Sequence, residues 1–205
     1  MTLPAVSGRP PSSRVLRIVV AGTSGGVGAT TVAAIVFDGL RLSSTGAPAL
    51  YDHSAGNLGS RLANGDDVAE VDPSLAVHDL GPHAFTAGLD VFDDPHDLLI
   101  TVAQATPLGI EDARAVLAAV SDRHGPAGLS RVILVFNAPF GPARVRRPIE
   151  QLRTEYGRLG IVVVPRDRAL AIGGRIPFTR LTSATRRGQQ SLNKRVAELL
   201  ARHRG

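Results

Sequence analysis

The chain has 205 residues, a formal net charge of +5 and no cysteine. That length holds one α/β domain with a full core rather than two large ones. The missing cysteine excludes a disulfide scaffold, a thiolate zinc site and a cysteine nucleophile, and it fits a reducing cytoplasm. The charge is uneven, with 5 basic and 11 acidic side chains in residues 1–100 against 18 and 7 in residues 101–205. The basic half is either a solvated surface or a face for nucleic acid, anionic lipid or an acidic protein.

Residues 1–14 lack the apolar stretch of a signal peptide and read as a disordered tail ahead of one domain over 15–205. No apolar run approaches the roughly 20 residues of a membrane span. Ile18 to Ala21 is a β-branched run that suits a buried strand, and Val32, Ile35, Val36 and Leu40 recur at helical spacing after Ala29. Gly22, Gly25, Gly26 and Gly28 stand between them. Strand, glycine-rich turn and helix form the layout of a phosphate-binding loop. Glycines let backbone N–H groups converge on an anion, and the helix N-terminus adds its partial positive charge. Gly25, Gly26, Val27, Gly28, Ala29, Thr30 and Thr31 are the candidate phosphate-binding positions, with Thr30 placed to ligate Mg²⁺. The motif also places a Lys between its last glycine and the hydroxyl residue. Ala29 stands there, and the only Lys in the chain is Lys194, near the other end.

Ala49 to Tyr51 predicts a short strand ending at Asp52, whose carboxylate either lies near the phosphates or caps a helix from about Gly56 to Ala63. After a polar loop at 65–74 with room for one short strand, Leu75 to Leu80 is an apolar strand carrying Asp79 at its end, the form of element whose carboxylate holds Mg²⁺ through water. Asp79 thus joins Thr30 as a candidate metal position. His78, inside that strand, reads as a sheet-face residue rather than a ligand, and His83 follows it near the site. Only 27 residues separate Asp52 from Asp79, slightly fewer than the roughly 30 of a strand–helix–strand unit.

Leu98 to Ala103 predicts a buried strand, and Thr106-Pro107 opens a helix over Leu108 to Val120 with Ile110, Ala113, Leu117 and Val120 inward. Gly125 to Gly128 predicts a turn. Val132 to Phe136 is a strand ending at Asn137, whose amide offers a donor and an acceptor either to a base or to a turn. Arg144 to Arg158 is a basic amphipathic helix with Ile149, Leu152 and Tyr156 inward, and Ile161 to Val164 is the last strand. The terminal helix, Thr185 to Arg204, gathers Leu192, Val196, Leu199 and Leu200 on one side and either packs on the sheet or lies on a membrane surface. Arg144, Arg146, Arg147, Arg153, Arg186 and Arg187 are the candidate contacts for nucleic acid. Strands alternating with helices imply an α/β fold, a mainly parallel sheet with helices on both faces and ligands at the carboxyl ends of its strands.

The string SGGVGATT resembles KGGVGKTT, the deviant Walker A loop of the ParA/MinD family of P-loop ATPases. That family adds a second Lys before the two glycines, which reaches the nucleotide across a dimer. Ser24 takes its place here, so both loop lysines are missing. Four more segments resemble the family in its own order. ALYDHSAGNLGSRL is similar to the strand and loop in which an Asp, here Asp52, polarises the attacking water, and VHDLGP is similar to the Walker B strand. ITVAQATPLGIEDARAVL resembles the strand–TP–helix element, and VILVFN the segment whose Asn, here Asn137, reads adenine. Behind them VVPRDRALAIGG resembles the loop where Pro165, Arg166 and Asp167 run beside base and ribose, and Arg166 or Arg168 there is the candidate replacement for the missing charge. Among family members the set is most similar to the pilus-localising CpaE/TadZ group.

The resemblance implies a ParA/MinD-like P-loop fold, ATP or ADP and Mg²⁺ as cofactors of a working member, a protein partner and a homodimer. It also implies a cytoplasmic role in bacterial partitioning or in placing polar, pilus or secretion machinery. With neither lysine present, three functions compete. They are a non-hydrolysing positioning or assembly scaffold, a slow ATPase of the family type, and a nucleotide-independent DNA- or membrane-binding module.

Overall fold

Runs of buried β-branched and aliphatic residues build the sheet. In the computed structural model, which describes residues 15–43, 46–54, 57–62, 70–138, 145–157 and 160–204, six strands form one sheet. They are β1 (Leu16–Gly22), β2 (Ala47–Asp52), β3 (Val71–Asp79), β4 (Leu98–Gln104), β5 (Val132–Ala138) and β6 (Ile161–Pro165). Their order is β2-β3-β1-β4-β5-β6 and every pairing is parallel. Parallel neighbours need crossovers, which cover both faces with helices, so central strands are apolar throughout. Ile18, Val19, Val20 and Ala21 of β1 and Leu98, Leu99 and Ile100 of β4 are accordingly all fully buried.

One face is covered by α1 (Ala29–Ser43) and the terminal helix, and the other by α4 (Pro107–Leu129) and α5 (Arg146–Tyr156). Between β2 and β3 there is only a single helical turn, α2 (Leu58–Arg61), and α3 (Leu89–Val91) follows a short π-helical turn at Ala84–Gly88. The remaining helices are α6 (Arg168–Ala171) and α7 (Ser183–Arg204). On α7, Leu192, Val196, Leu199 and Leu200 are 0–6% exposed and join α1 and β6 in the core. Among the described residues no helix is long and apolar enough to cross a membrane.

One expectation is corrected and another is made definite. The turn expected at Gly125–Gly128 is a kink within α4: Gly125 turns the chain at φ 62°, and Pro126, preset to helical φ, resumes the helix at once. Within the segment read as a polar loop with room for one short strand, Val71 to Ser74 opens β3, with Val71 and Asp72 paired to Ala47 and Pro48 ahead of a register shift. Its polar side chains are tolerated because this part of β3 runs past the start of β1, which pairs with it only from Leu75, and is exposed or half-buried, while Pro48 sits on the edge strand β2. The tail at 1–14, Ala63 and Arg144 lie outside the described residues.

On the β2–β3 edge the rings of Tyr51 and His78 stack with centroids 4.7 Å apart, and His53 Nε2 lies 3.1 Å from His78 Nδ1. Burial, then the charges of His53 and Arg17, push the His78 imidazole down to about 4. Between an unfolded value near 6.5 and about 4 the unfolded chain therefore binds more protons, and stability falls as the pH falls through that window. The urea midpoint is expected to drop between pH 7 and pH 5, and less so in His78→Leu. Half-exposure keeps the difference to a fraction of the limiting slope of about 1.4 kcal/mol per pH unit. Parallel pH profiles of the two proteins would refute this.

Candidate functional site: a phosphate-loop cleft at the carboxyl ends of the strands

The strand order reverses across β1, and the glycine-rich loop leaves β1 at that point, where α/β sheets open a crevice. Two backbone bonds pin the loop to the sheet, from Gly22 N to Gly81 O (2.7 Å) and from Thr23 N to Val102 O (2.9 Å). Val27 points inward and is 2% exposed. Gly28 adopts φ 95°, a conformation that demands glycine, and a Cβ there would lie 2.7 Å from Asn137 Nδ2 and push that amide aside. Val32 N then bonds Gly28 O and starts α1. The loop thus takes the cradle form predicted for it, with Gly25 and Gly26 at its exposed apex.

Two cavities flank this loop. One of about 420 Å³ has apolar walls from Val32, Ile35, Val164, Pro165 and Leu170, with Asn137, Arg166 and Asp167 on its rim. The other, of about 330 Å³, lies over the loop itself and is bordered by Ser24, Ala29, Thr30, Ser54 and Gly81. Gly26, Gly28, Thr31 and Arg61 border both. An elongated ligand with an apolar ring at one end and anionic groups at the other, such as a nucleotide, fits this arrangement.

Several side chains are already engaged. Asn137 donates from Nδ2 to Val27 O (3.1 Å), tying β5 to the loop. Asp167 is 6% exposed and accepts from the amides of Ala169 (2.9 Å) and Thr182 (2.8 Å), which caps α6 and anchors the chain entering α7. Burial works against its charge, yet those amides and the hydroxyls of Thr185 and Thr182 hold the carboxyl below its usual value.

Asp52 and Asp79 are register partners at the ends of β2 and β3. The Ser54 hydroxyl bridges them, 2.8 Å from Asp52 Oδ1 and 3.1 Å from Asp79 Oδ2. Asp52 Oδ2 accepts from the amide of Leu58 (2.9 Å) and Asp79 Oδ1 from that of Gly81 (3.0 Å). Asp79 is fully buried and borders neither cavity. Thr30 borders the cavity over the loop together with Ser54 and Gly81, the two hydrogen-bond partners of Asp79. His83 is exposed and also borders neither cavity.

The basic candidates are divided. Arg146 and Arg147 are exposed in the first turn of α5, where Arg153 pairs with Glu150 (2.6 Å), while Arg186 and Arg187 are exposed near the start of α7, on the opposite layer.

Sequence reasoning missed Arg61. Its Nη2 donates to Thr31 Oγ1 (2.6 Å), and Nη1 and Nη2 both donate to Leu170 O (3.2 Å). No carboxylate pairs with it among the described residues, and burial pushes its guanidinium below its usual value. The one signal in the sequence is that Arg61 is among only 5 basic residues in the acidic first hundred.

No protein-family model matches this sequence, and no curated protein does either. Solved structures share its fold. A ParA family ATPase from Chlorobium tepidum superposes with a TM-score of 0.58 at 14% identity, over 94% of this chain and 96% of that one. A Borrelia burgdorferi protein described as a plasmid partition protein, bound to AMPPNP, gives 0.61 at 12% over 90% and 99%. The MinC:MinD cell division complex of Aquifex aeolicus gives 0.59 at 15% over 90% and 95%. The six-stranded parallel sheet, its helical layers and its glycine loop are thus those of a ParA/MinD-like P-loop fold.

Proposed function

We propose that this chain is a ParA/MinD-like protein that holds a nucleotide without turning it over, and that residues 15–205 act as one positioning or assembly scaffold in a bacterial cytoplasm. The observation that carries this reading is a formed cleft without its catalytic charges. The glycine cradle and both cavities are present, while Ala29 and Ser24 stand where lysines would meet the phosphates, and Asp52 and Asp79 are committed to amides and to Ser54. The AMPPNP on the Borrelia protein supports a nucleotide ligand, and MinC on MinD supports a protein partner. A homodimer would lack the cross-subunit lysine contact, so its formation should not depend on ATP. Incubation with ATP and Mg²⁺ tests the reading: nucleotide is recovered unhydrolysed, and the mass by light scattering is the same with and without it.

A second reading, contact with a polyanion, is favoured by one observation. Arg146, Arg147, Arg186 and Arg187 sit in the opening turns of their helices, where the helix dipole disfavours cations by roughly 0.3–1 kcal/mol each. Duplex DNA suits them better than lipid, because the apolar face of α7 that insertion would need is in the core. Mobility shifts at low salt should be independent of sequence and weaken by roughly 0.9 in log–log slope per neutralised phosphate. Retention by anionic liposomes but not by DNA would reverse the preference.

A further inference from the structure

We infer that Arg61 is the cation that receives the phosphate groups of a nucleoside di- or triphosphate in this cleft, in the role that a lysine at position 29 would fill; this rests on the nucleotide-site reading above. Three observations converge on it. Arg61 borders both cavities, the apolar one suited to a base and the polar one over the glycine loop, so its guanidinium stands where the anionic end of such a ligand would cross between them. It also lies 2.6 Å from the Thr31 hydroxyl at the start of α1 and lines the same cavity as the glycine loop. Its charge is unneutralised among the described residues, its other bonds going to the carbonyls of Leu170 and Gly174. A partly buried cation satisfied only by neutral acceptors gains most from an anion, and the guanidinium fork matches phosphate oxygens in pairs.

The sequence places Arg61 there by two anchors close to it in the chain. Asp52 accepts from the Leu58 amide, Leu58 is fully buried in the core, and Arg61 follows three residues later, one helical turn on. On this reading Asp52 is a positioning residue: its carboxylate fixes α2, and α2 aims the guanidinium. Because the counter-charge is an arginine, phosphate recognition does not require a divalent cation.

Calorimetric titration of the full chain with ADP, ATP and adenosine in EDTA tests this, for the wild type, Arg61→Gln and Arg61→Lys. The wild type is expected to bind ADP more tightly than adenosine without metal. Arg61→Gln should lose roughly 10–100-fold in ADP affinity, the scale of a lost charged hydrogen bond, and keep its adenosine affinity. Arg61→Lys, which keeps the charge but not the fork, should fall between them. A purely structural arginine would shift the unfolding midpoint and leave the ratio of ADP to adenosine affinity unchanged. An unchanged ratio in Arg61→Gln, or in Arg61→Lys should the Gln variant lose its folded circular dichroism, overturns the role of Arg61 and leaves the nucleotide site standing. A wild type that binds neither ADP nor ATP, in EDTA or with Mg²⁺ added, overturns both, and one that binds only with Mg²⁺ overturns the role of Arg61 alone.

Discussion

ATP incubated with this protein and Mg²⁺ is expected to come back as ATP, with phosphate release at least 10²–10³-fold below that of a loop carrying its lysine. Phosphoryl transfer leaves little covalent chemistry to the protein and depends on positioning and on charge placed where negative charge develops. Loss of one such donor costs about 10²–10³ in rate, and here two positions are empty of charge, at Ser24 and Ala29. The carboxylate expected to orient water is already engaged, since Asp52 accepts from Ser54 through one oxygen and from the Leu58 amide through the other. Steady phosphate release that Asp79→Ala abolishes would show a working ATPase instead, and the scaffold reading would fall.

Leu192→Asp is expected to unfold the protein or bring it close to unfolding. Leu192 is 0% exposed on α7, packed among Val196, Leu199 and the residues of α1 and β6. Truncating such a leucine costs about 2–5 kcal/mol, and a buried carboxylate with no partner adds its desolvation penalty. Total stability of a domain is only about 5–15 kcal/mol. Leu42→Asp is the fitting comparison, because Leu42 is 80% exposed and surface changes of this kind stay within about 0.5 kcal/mol. Thermal and urea unfolding followed by circular dichroism measure both. If Leu192→Asp unfolds where the wild type does, α7 is not part of the core, and insertion of its apolar face into lipid becomes the better account.

The elements legible in the sequence were those whose signal is local. Ile18 to Ala21, Leu98 to Ala103 and Val132 to Phe136 announce buried strands because a strand covered on both faces must be apolar at every position. The glycine cradle is equally local: positive φ at Gly26 and Gly28 comes from residues adjacent in the chain. The inward faces of α1 and α4 followed from spacing alone, and all four residues assigned to each are buried. The missing lysines, too, are a property of sequence, and they carry the expectation about hydrolysis whatever the fold does with the rest.

What tertiary structure decided was where the polar side chains spend their hydrogen bonds. Asn137 lies 110 residues from Val27, and only the placing of β5 beyond β4 brings its amide to the loop. Ser54 and Asp79, 25 residues apart, meet because parallel pairing sets Asp52 beside Asp79. Arg61 reaches Thr31 and Leu170 across 30 and 109 residues. Apolar patterning is periodic and can be read along one segment, whereas a hydrogen bond between distant segments depends on strand order and register, which no local pattern encodes. The chain therefore declares a phosphate loop without its lysines in its own letters, and only the folded sheet brings an arginine to that loop.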